Sequence, residues 1–147
     1  MSDVEVDVVV VGAGVAGLTA AYVAAREGMS VLVCEKAEQL GGTSATSAGS
    51  IWIPGNTYQP ESKRGEDVAQ ARLYLSGLMG QAALGPLQEK YLSEGPRAID
   101  YLVRHSRVRF FPAGVHPDYV PLPGAASEGR VLSPAPFDGR ILGADFP

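Results

Sequence analysis

The sequence is poor in cysteine, in long apolar runs and in N-terminal basic residues, and each absence excludes a class of protein. Cys34 is the only cysteine, so an intrachain disulfide and a cysteine-based zinc cluster are both excluded, and no metal site is predicted. Its place in an apolar run predicts a buried, inert thiol. No stretch approaches membrane-spanning length, and the first residues, "MSDVEVDVVVVGAG", carry acids where a signal peptide has basic residues. We therefore expect a cytoplasmic protein without an integral membrane segment.

Basic charge is also scarce. The formal net charge of −4 gives no general attraction to nucleic acid or to anionic lipid. Apolar residues make up 46% of the 147 residues and charged residues 19%, which is typical of a globular domain with a core and not of a disordered chain. Four arginines between residues 97 and 109 form a local basic cluster, which a solvated helix face explains.

The first 35 residues show the pattern of a βαβ unit, which predicts an α/β fold. Val8 to Val11 form a β-branched run that is typical of a strand buried on both faces in a parallel sheet. "GAGVAG" and the alanine-rich "LTAAYVAAREG" follow, and Gly28 ends the helix that they predict. Ser30 to Cys34, "SVLVC", predicts the second strand, with Glu35 at its carboxyl end.

The spacing Gly12-x-Gly14-x-x-Gly17 predicts a dinucleotide-binding turn, because it follows a strand and opens a helix. The first glycine permits a tight turn, the second lets backbone approach a pyrophosphate, and the third lets helix and strand pack closely. The helix N-terminus offers unpaired N–H groups and a partial positive charge to the anion. Glu35 lies where a carboxylate accepts hydrogen bonds from both adenosine ribose hydroxyls and repels a 2′-phosphate, which leaves NAD and FAD.

The segment that follows Glu35, "KAEQLGGTSATSAGSIWIPGN", favours FAD. An NAD domain usually returns to its sheet through another helix, whereas this segment has no helical stripe and is rich in glycine and hydroxyl side chains that can contact a ligand. A flexible linker is the alternative, and Trp52 is either a wall of the flavin pocket or an anchor in the core. The predicted cofactor-binding residues are Gly12, Ala13, Gly14, Val15, Ala16, Gly17, Glu35, Lys36, Gly41, Gly42, Thr43, Ser44, Ser47, Ala48, Gly49 and Ser50.

Beyond the βαβ unit and FAD loop of residues 1–56, the sequence predicts a helical segment over 66–105 and an extended one over 112–147. Gly85-Pro86 and Gly95-Pro96 predict breaks between successive helices, and "VRFF" predicts a short strand. Seven of the eleven prolines lie in the last 36 residues, which predicts a tail without regular structure. Its apolar and aromatic content favours a tail extended over the active site or a partner chain, and not a disordered one.

Four sequence blocks carry a resemblance that covers essentially the whole chain. They are "DVVVVGAGVAGLTAAYVAAREGMSVLVCEKAEQLGGTSATSAGSIWIPGN", "YLSEGPRAIDYL", "HPDYVP" and "PFDGRILG". The first resembles the N-terminal FAD segment of the fumarate reductase and succinate dehydrogenase flavoprotein superfamily. "EK", "GGTSATSAG" and "IWIP", together with the later blocks, are similar in particular to its 3-ketosteroid delta-1-dehydrogenase branch.

The resemblance implies a Rossmann-like FAD-binding domain of the GR2 type, and an oxidoreductase that introduces a C=C bond next to a ketone. Hydride would go to the flavin N5 and a proton to a tyrosine base. Tyr119, in "PDY", matches an active-site tyrosine that supports this base. Ionising a free phenol at pH 7 costs about 4 kcal/mol, and a hydrogen bond from a second phenol reduces that cost. Without the resemblance, an aromatic anchor in a proline-rich loop is the simpler interpretation of Tyr119.

Several departures from the family qualify these expectations. Val120 stands where some members have a second tyrosine, and the absence of histidine from residues 41–56 predicts non-covalent FAD. The capping domain, the other catalytic residues and the returning part of the FAD domain would lie beyond Pro147. We therefore expect an incomplete FAD-binding domain that a second polypeptide completes. The expected substrate is a small ketone, and the branch resemblance implies a steroid. The alternatives are a fumarate reductase-like flavoprotein, a non-catalytic FAD-binding subunit and an NAD-binding module; the electron acceptor and oligomeric state stay open.

Overall fold

The computed structural model describes residues 4–80 and 83–145. The chain divides into two compact units, Met1–Gly49 and Ser50–Pro147. Each unit combines helices with β-strands, so the predicted α/β class is confirmed. Within the described residues, no helix is long and apolar enough to cross a membrane.

The first unit contains the predicted strand–helix–strand sequence. Strand β1 (Val8–Val11) pairs in parallel with β2 (Val31–Cys34), and helix α1 (Val15–Arg26) connects them. Gly28 has a φ of +89° and its N–H donates to the Ala25 carbonyl, which confirms the predicted end of the helix. A single helical turn, α2 (Gly42–Ala45), follows in the glycine-rich loop, where its composition did not predict a helix.

Among the described residues, helix α1 covers one face of the β1–β2 pair and nothing covers the other. The side chains of Val9, Val11, Leu32 and Cys34 alternate with half-buried neighbours and are exposed. The predictions of strands buried on both faces and of a buried Cys34 are therefore wrong for this structure. The physical reason is that side chains alternate between the two faces of a sheet, and α1 packs against one of them.

The second unit is built on a three-stranded antiparallel sheet in the order β3, β5, β4. Strands β3 (Ile51–Trp52) and β4 (Phe110–Pro112) flank β5 (Val131–Pro134), with Ile51 opposite Leu132. The strand predicted from "VRFF" is confirmed with a shift towards Pro112. The glycine-rich loop was not predicted to contain a strand, yet it supplies β3.

The proline-rich tail supplies the central strand of this sheet. Val131 and Leu132 are buried, and Leu132 belongs to a core cluster with Ile53 and Ile99. The prediction that residues 112–147 lack regular structure is therefore wrong at β5. The tail joins this chain's own sheet because a short apolar run lies between its proline- and glycine-rich turns. A 3₁₀ segment, Gly139–Asp145, is interrupted at Gly143.

Two long helices complete the second unit, α3 (Glu61–Leu78) and α4 (Pro86–His105). Helix α4 begins at Pro86 as predicted, but it continues through Pro96, so the predicted break at Gly95-Pro96 is wrong. Leu92 and Ile99 are buried on either side of this proline. The amphipathic packing of the helix holds it together across the one missing backbone hydrogen bond.

Candidate functional site

The turn between β1 and α1 leaves the backbone at the start of the helix open. Gly12 has a φ of +98° and its N–H donates to the Cys34 carbonyl at 2.7 Å. No described side chain caps α1, and its first turn has no acidic residue. A Cβ at Gly17 would lie 1.9 Å from the Gly12 oxygen, so only glycine permits this packing. The exposed N–H groups suit an anion, and a diphosphate is one that lies along such a turn.

Glu35 joins the ends of the two strands through the backbone of Ala13. Its Oε2 accepts a hydrogen bond from the Ala13 N–H at 2.8 Å, and its Oε1 accepts one from the Ala37 N–H at 3.0 Å. These hydrogen bonds, that of Ala13 above all, hold the pKa of Glu35 below its usual value. The carboxylate therefore stays ionised at neutral pH, and each oxygen keeps acceptor capacity for a ribose hydroxyl.

Gly41 and Gly42 lie against the turn between β1 and α1. Gly41 donates its N–H to the Ala13 carbonyl at 2.8 Å and forms a parallel bridge with Gly14. Gly41 and Gly42 both have positive φ, and a Cβ at Gly42 would lie 3.6 Å from the Gly14 Cα. The start of the predicted FAD loop is thus brought onto the dinucleotide turn. Close backbone packing of this kind, beside an uncapped helix N-terminus, fits the diphosphate of a dinucleotide.

The hydroxyl groups of the loop differ in the hydrogen bonds that they make within the chain. Ser47 Oγ donates to the Ser44 carbonyl at 2.8 Å and accepts from the Gly49 N–H at 3.0 Å. Its hydrogen is therefore used within the loop, whereas Thr43 and Ser44 are exposed and make no side-chain hydrogen bond within the described residues. Ser50 belongs to the second unit, and its Oγ lies 3.4 Å from the Ser133 Oγ.

The sixteen predicted cofactor-binding residues fall into three groups by exposure. Ala13 is fully buried. Half-buried are Gly12, Gly14, Gly17, Glu35, Gly41 and Gly49. Exposed are Val15, Ala16, Lys36, Gly42, Thr43, Ser44, Ser47, Ala48 and Ser50. Among the described residues, no group of three His, Cys, Asp or Glu side chains could hold a metal ion.

The second unit contains a mostly apolar cavity of about 250 Å³ that is partly open to solvent. Tyr119, the predicted catalytic residue, lines it and is 91% exposed. Tyr74 of α3 and His116 also line it, and Tyr74 is buried apart from this opening. Tyr74 was not predicted as a cavity residue, because its helical spacing with Ala71 and Leu78 is typical of a core position.

Trp52, which had two predicted roles, forms one wall of this cavity and is packed on its other sides. Its ring stacks on Tyr91 with centroids 6.5 Å apart, and the Tyr91 hydroxyl donates to the Trp52 carbonyl. Burial raises the pKa of the Tyr91 phenol. The indole N–H donates to Asp118 Oδ1 at 2.7 Å, and the Arg130 guanidinium lies 5.6 Å from the ring centroid.

The comparisons with known proteins agree along nearly the whole chain. It is 39% identical over 97% of its length to a 3-oxosteroid 1-dehydrogenase of Mycobacterium tuberculosis (strain ATCC 25618 / H37Rv). It is 40% identical over 93% to a 4-oxocyclohex-2-ene-1-carboxylate 5-dehydrogenase of Sinomonas cyclohexanicum. Over 96% of the chain, the structure superposes with a TM-score of 0.84 and 36% identity on the crystal structure of 3-ketosteroid delta1-dehydrogenase from Sterolibacterium denitrificans in complex with 1,4-androstadiene-3,17-dione.

The chain spans about a quarter of these proteins, 25% of the M. tuberculosis enzyme, 23% of the Sinomonas enzyme and 25% of the crystallised chain. The predicted resemblance to the 3-ketosteroid dehydrogenase branch is confirmed. A family model described as FAD binding domain matches residues 7–147, which agrees with the turn, the carboxylate and the glycine loop of the first unit. The chain belongs to this family of FAD-binding domains.

Proposed function

We propose that this chain is the FAD-binding portion of a flavin-dependent dehydrogenase that introduces a C=C bond next to a ketone, and that its FAD is non-covalent. The contacts of Ala13 support FAD binding most directly, because its N–H holds Glu35 and its carbonyl holds Gly41. A steroid or another cyclic ketone is the proposed substrate, since the two relatives are dehydrogenases named for a 3-oxosteroid and a 4-oxocyclohexene carboxylate.

The groups of the first unit that are proposed to bind FAD contact different parts of the cofactor. The free N–H groups at the start of α1 bind the diphosphate, and Glu35 accepts hydrogen bonds from the adenosine ribose. Thr43 and Ser44, whose hydroxyls are exposed, bind the part of FAD beyond the diphosphate. When bound, FAD supplies the two-electron acceptor for the dehydrogenation.

Tyr119 is the proposed catalytic residue of the second unit. It lines a mostly apolar cavity, and a hydrogen bond between two phenols becomes stronger there once the completing part of the enzyme excludes water. Its O–H donates a hydrogen bond to the tyrosine base, which the completing part of the enzyme supplies. The proton from the carbon alpha to the ketone then goes to that base at a lower free-energy cost.

A second polypeptide is proposed to complete the domain. The exposed apolar side chains of Val9, Val11 and Leu32 support this, because they form one face of a parallel strand pair, and parallel sheets normally have both faces covered. Purification of the chain alone and with its partner tests the point by native mass spectrometry and flavin absorption. A stably folded monomer that retains FAD at the affinity of the complex would contradict the need for a partner.

The catalytic part is tested by Tyr119→Phe in the FAD-loaded complex. Loss of the donated hydrogen bond should lower turnover by about 10-fold or more while the flavin content stays unchanged. Tyr58→Phe is the matched control, since Tyr58 is a partly exposed phenol outside this cavity. Unchanged turnover in Tyr119→Phe would favour a non-catalytic FAD-binding subunit. A wild-type complex that reduces C=C bonds but does not introduce them would favour the fumarate reductase-like alternative.

A further inference from the structure

Arg130 is a buried cation with two buried or nearly buried anions around it. Its side chain is 2% exposed, its Nε lies 2.7 Å from Asp67 Oδ1, and its Nη1 lies 2.6 Å from Asp118 Oδ2. Burying three charged groups is costly, and a buried ion pair is weak evidence for stability in itself. A role in placing neighbouring groups would account for such a cluster, so the contacts of each partner matter.

Both oxygens of Asp118 are used. Oδ1 accepts the indole N–H of Trp52 at 2.7 Å, and Oδ2 accepts the Ala126 N–H at 2.9 Å as well as Arg130. The Arg130 guanidinium also faces the Trp52 ring within cation–π distance. The plane of the indole is thus fixed by a hydrogen bond at its edge and a cation over its face.

Asp118 also fixes the backbone that carries Tyr119. The Asp118 N–H donates to the Ala126 carbonyl at 2.9 Å, and the His116 N–H donates to the Ser127 carbonyl at 2.9 Å. The Tyr119 hydroxyl has no hydrogen-bond partner among residues 4–80 and 83–145, and its ring lies 6.3 Å from that of His116. The position of Tyr119 therefore depends on the backbone of its neighbour.

We propose that Arg130 and Asp118 are positioning residues that hold the Trp52 indole and the backbone that carries Tyr119, both at the wall of the cavity, in one fixed arrangement. Arg130 acts through Asp118, and neither residue is assigned contact with the reacting atoms. The catalytic consequence rests on the proposed function, because it supposes that Tyr119 supports a base. The structural consequence for Trp52 and for the segment 115–120 does not rest on it.

The first test uses the full chain and needs no activity. Trp52 is the only tryptophan, so its emission and its quenching by acrylamide report this wall alone. Asp118→Asn removes the negative charge of the group that accepts hydrogen bonds from both Arg130 and the indole, while it keeps the size of the side chain. We expect a red-shifted emission, quenching at least about twice as strong, and faster amide exchange over residues 115–120.

Asp138→Asn is the matched control, because Asp138 pairs with the exposed Arg140 at 2.7 Å and does not line the cavity. It should leave all three measurements unchanged. Arg130→Lys is a second variant that keeps the charge but loses the planar fork that reaches both carboxylates, so its effect should have the same direction. Unchanged emission, quenching and exchange in both Asp118→Asn and Arg130→Lys would overturn the proposal.

The second test measures turnover per bound flavin in the holoenzyme. Misplacement of a catalytic group by about 1 Å can lower turnover by up to about 100-fold, so we expect a fall in kcat of about 10-fold or more in Asp118→Asn. Arg130→Lys should retain more activity than Arg130→Gln. A merely structural role would lower the yield of flavin-loaded enzyme with kcat per flavin unchanged, which would overturn the catalytic half. If the wild-type holoenzyme has no dehydrogenase activity, the proposed function fails, and the fluorescence and exchange measurements still decide the positioning role.

Discussion

The two units of the chain build their sites from different groups. In the first unit the contacts are made largely by backbone: the N–H and carbonyl of Ala13, the bridge between Gly14 and Gly41, and the open start of α1. In the second unit the contacts are made by side chains, and Trp52 and Arg130 both donate hydrogen bonds to Asp118. The backbone site has no room for a Cβ at Gly17 or Gly41, whereas the side-chain network depends on charge and hydrogen-bond pairing.

The sharpest test of the backbone site is Gly17→Ala, and it should have the largest effect. The new Cβ would lie 1.9 Å from the Gly12 oxygen and 3.3 Å from Val10 Cγ1, so the helix must move away from the strand. We expect a loss of more than about 3 kcal/mol in the free energy of unfolding, with loss of FAD binding. Chemical denaturation and flavin absorption measure the two.

Gly65→Ala is the control for this prediction. Gly65 lies inside α3, and a Cβ there would meet nothing within 4 Å. Alanine should stabilise the chain by about 0.5–1 kcal/mol, because glycine costs that much in a helix interior. Equal effects of the two alanines would contradict the close approach at Gly17.

Trp52→Phe tests the side-chain network, with an intermediate effect. Phenylalanine keeps an aromatic ring near Arg130 but removes the N–H, so Asp118 Oδ1 loses its donor. We expect destabilisation by about 1–3 kcal/mol, the cost of a buried unsatisfied acceptor, with FAD affinity nearly unchanged. Phe111→Leu, at an exposed aromatic position, is a comparison in which no hydrogen bond is lost. A neutral result for Trp52→Phe would mean that water replaces the indole.

The smallest expected effect concerns pH and Glu35. Hydrogen bonds from Ala13 and Ala37 lower the pKa of Glu35 in the folded chain below the unfolded value of about 4.3. The stability that the ionised carboxylate adds to the fold is therefore complete above that pH and is lost as the pH falls through the folded pKa. The difference in stability between the wild type and Glu35→Gln should stay constant from pH 8 to about 5 and shrink below about 4. Thermal unfolding measures it, with Glu38→Gln as the exposed control.

The same contrast decides how much could be predicted from the sequence. The turn at Gly12 and the strand–helix–strand order follow from local spacing, and the structure shows both. The contacts of Asp118 with Trp52 and of Arg130 with Asp67 join residues 66 and 63 positions apart, and no periodicity marks such pairs.

Burial was the other quantity that local pattern could not give. The run Val8 to Val11 indicates a strand, but whether a second layer covers it depends on elements elsewhere, and here Val9 and Val11 are exposed. Pro96 shows the converse, because buried neighbours on both sides keep α4 continuous through a residue that normally ends a helix. Tertiary packing thus decided each of these positions.

The exposed end of β2 makes the single thiol an experimental handle. Cys34 stands opposite Val11 on the uncovered face, so a maleimide reagent will modify one known position and read one surface. The rate of that modification becomes a footprint: it should fall when another polypeptide covers the strands and return when that polypeptide is removed. A chain with one cysteine therefore carries its own assay for assembly.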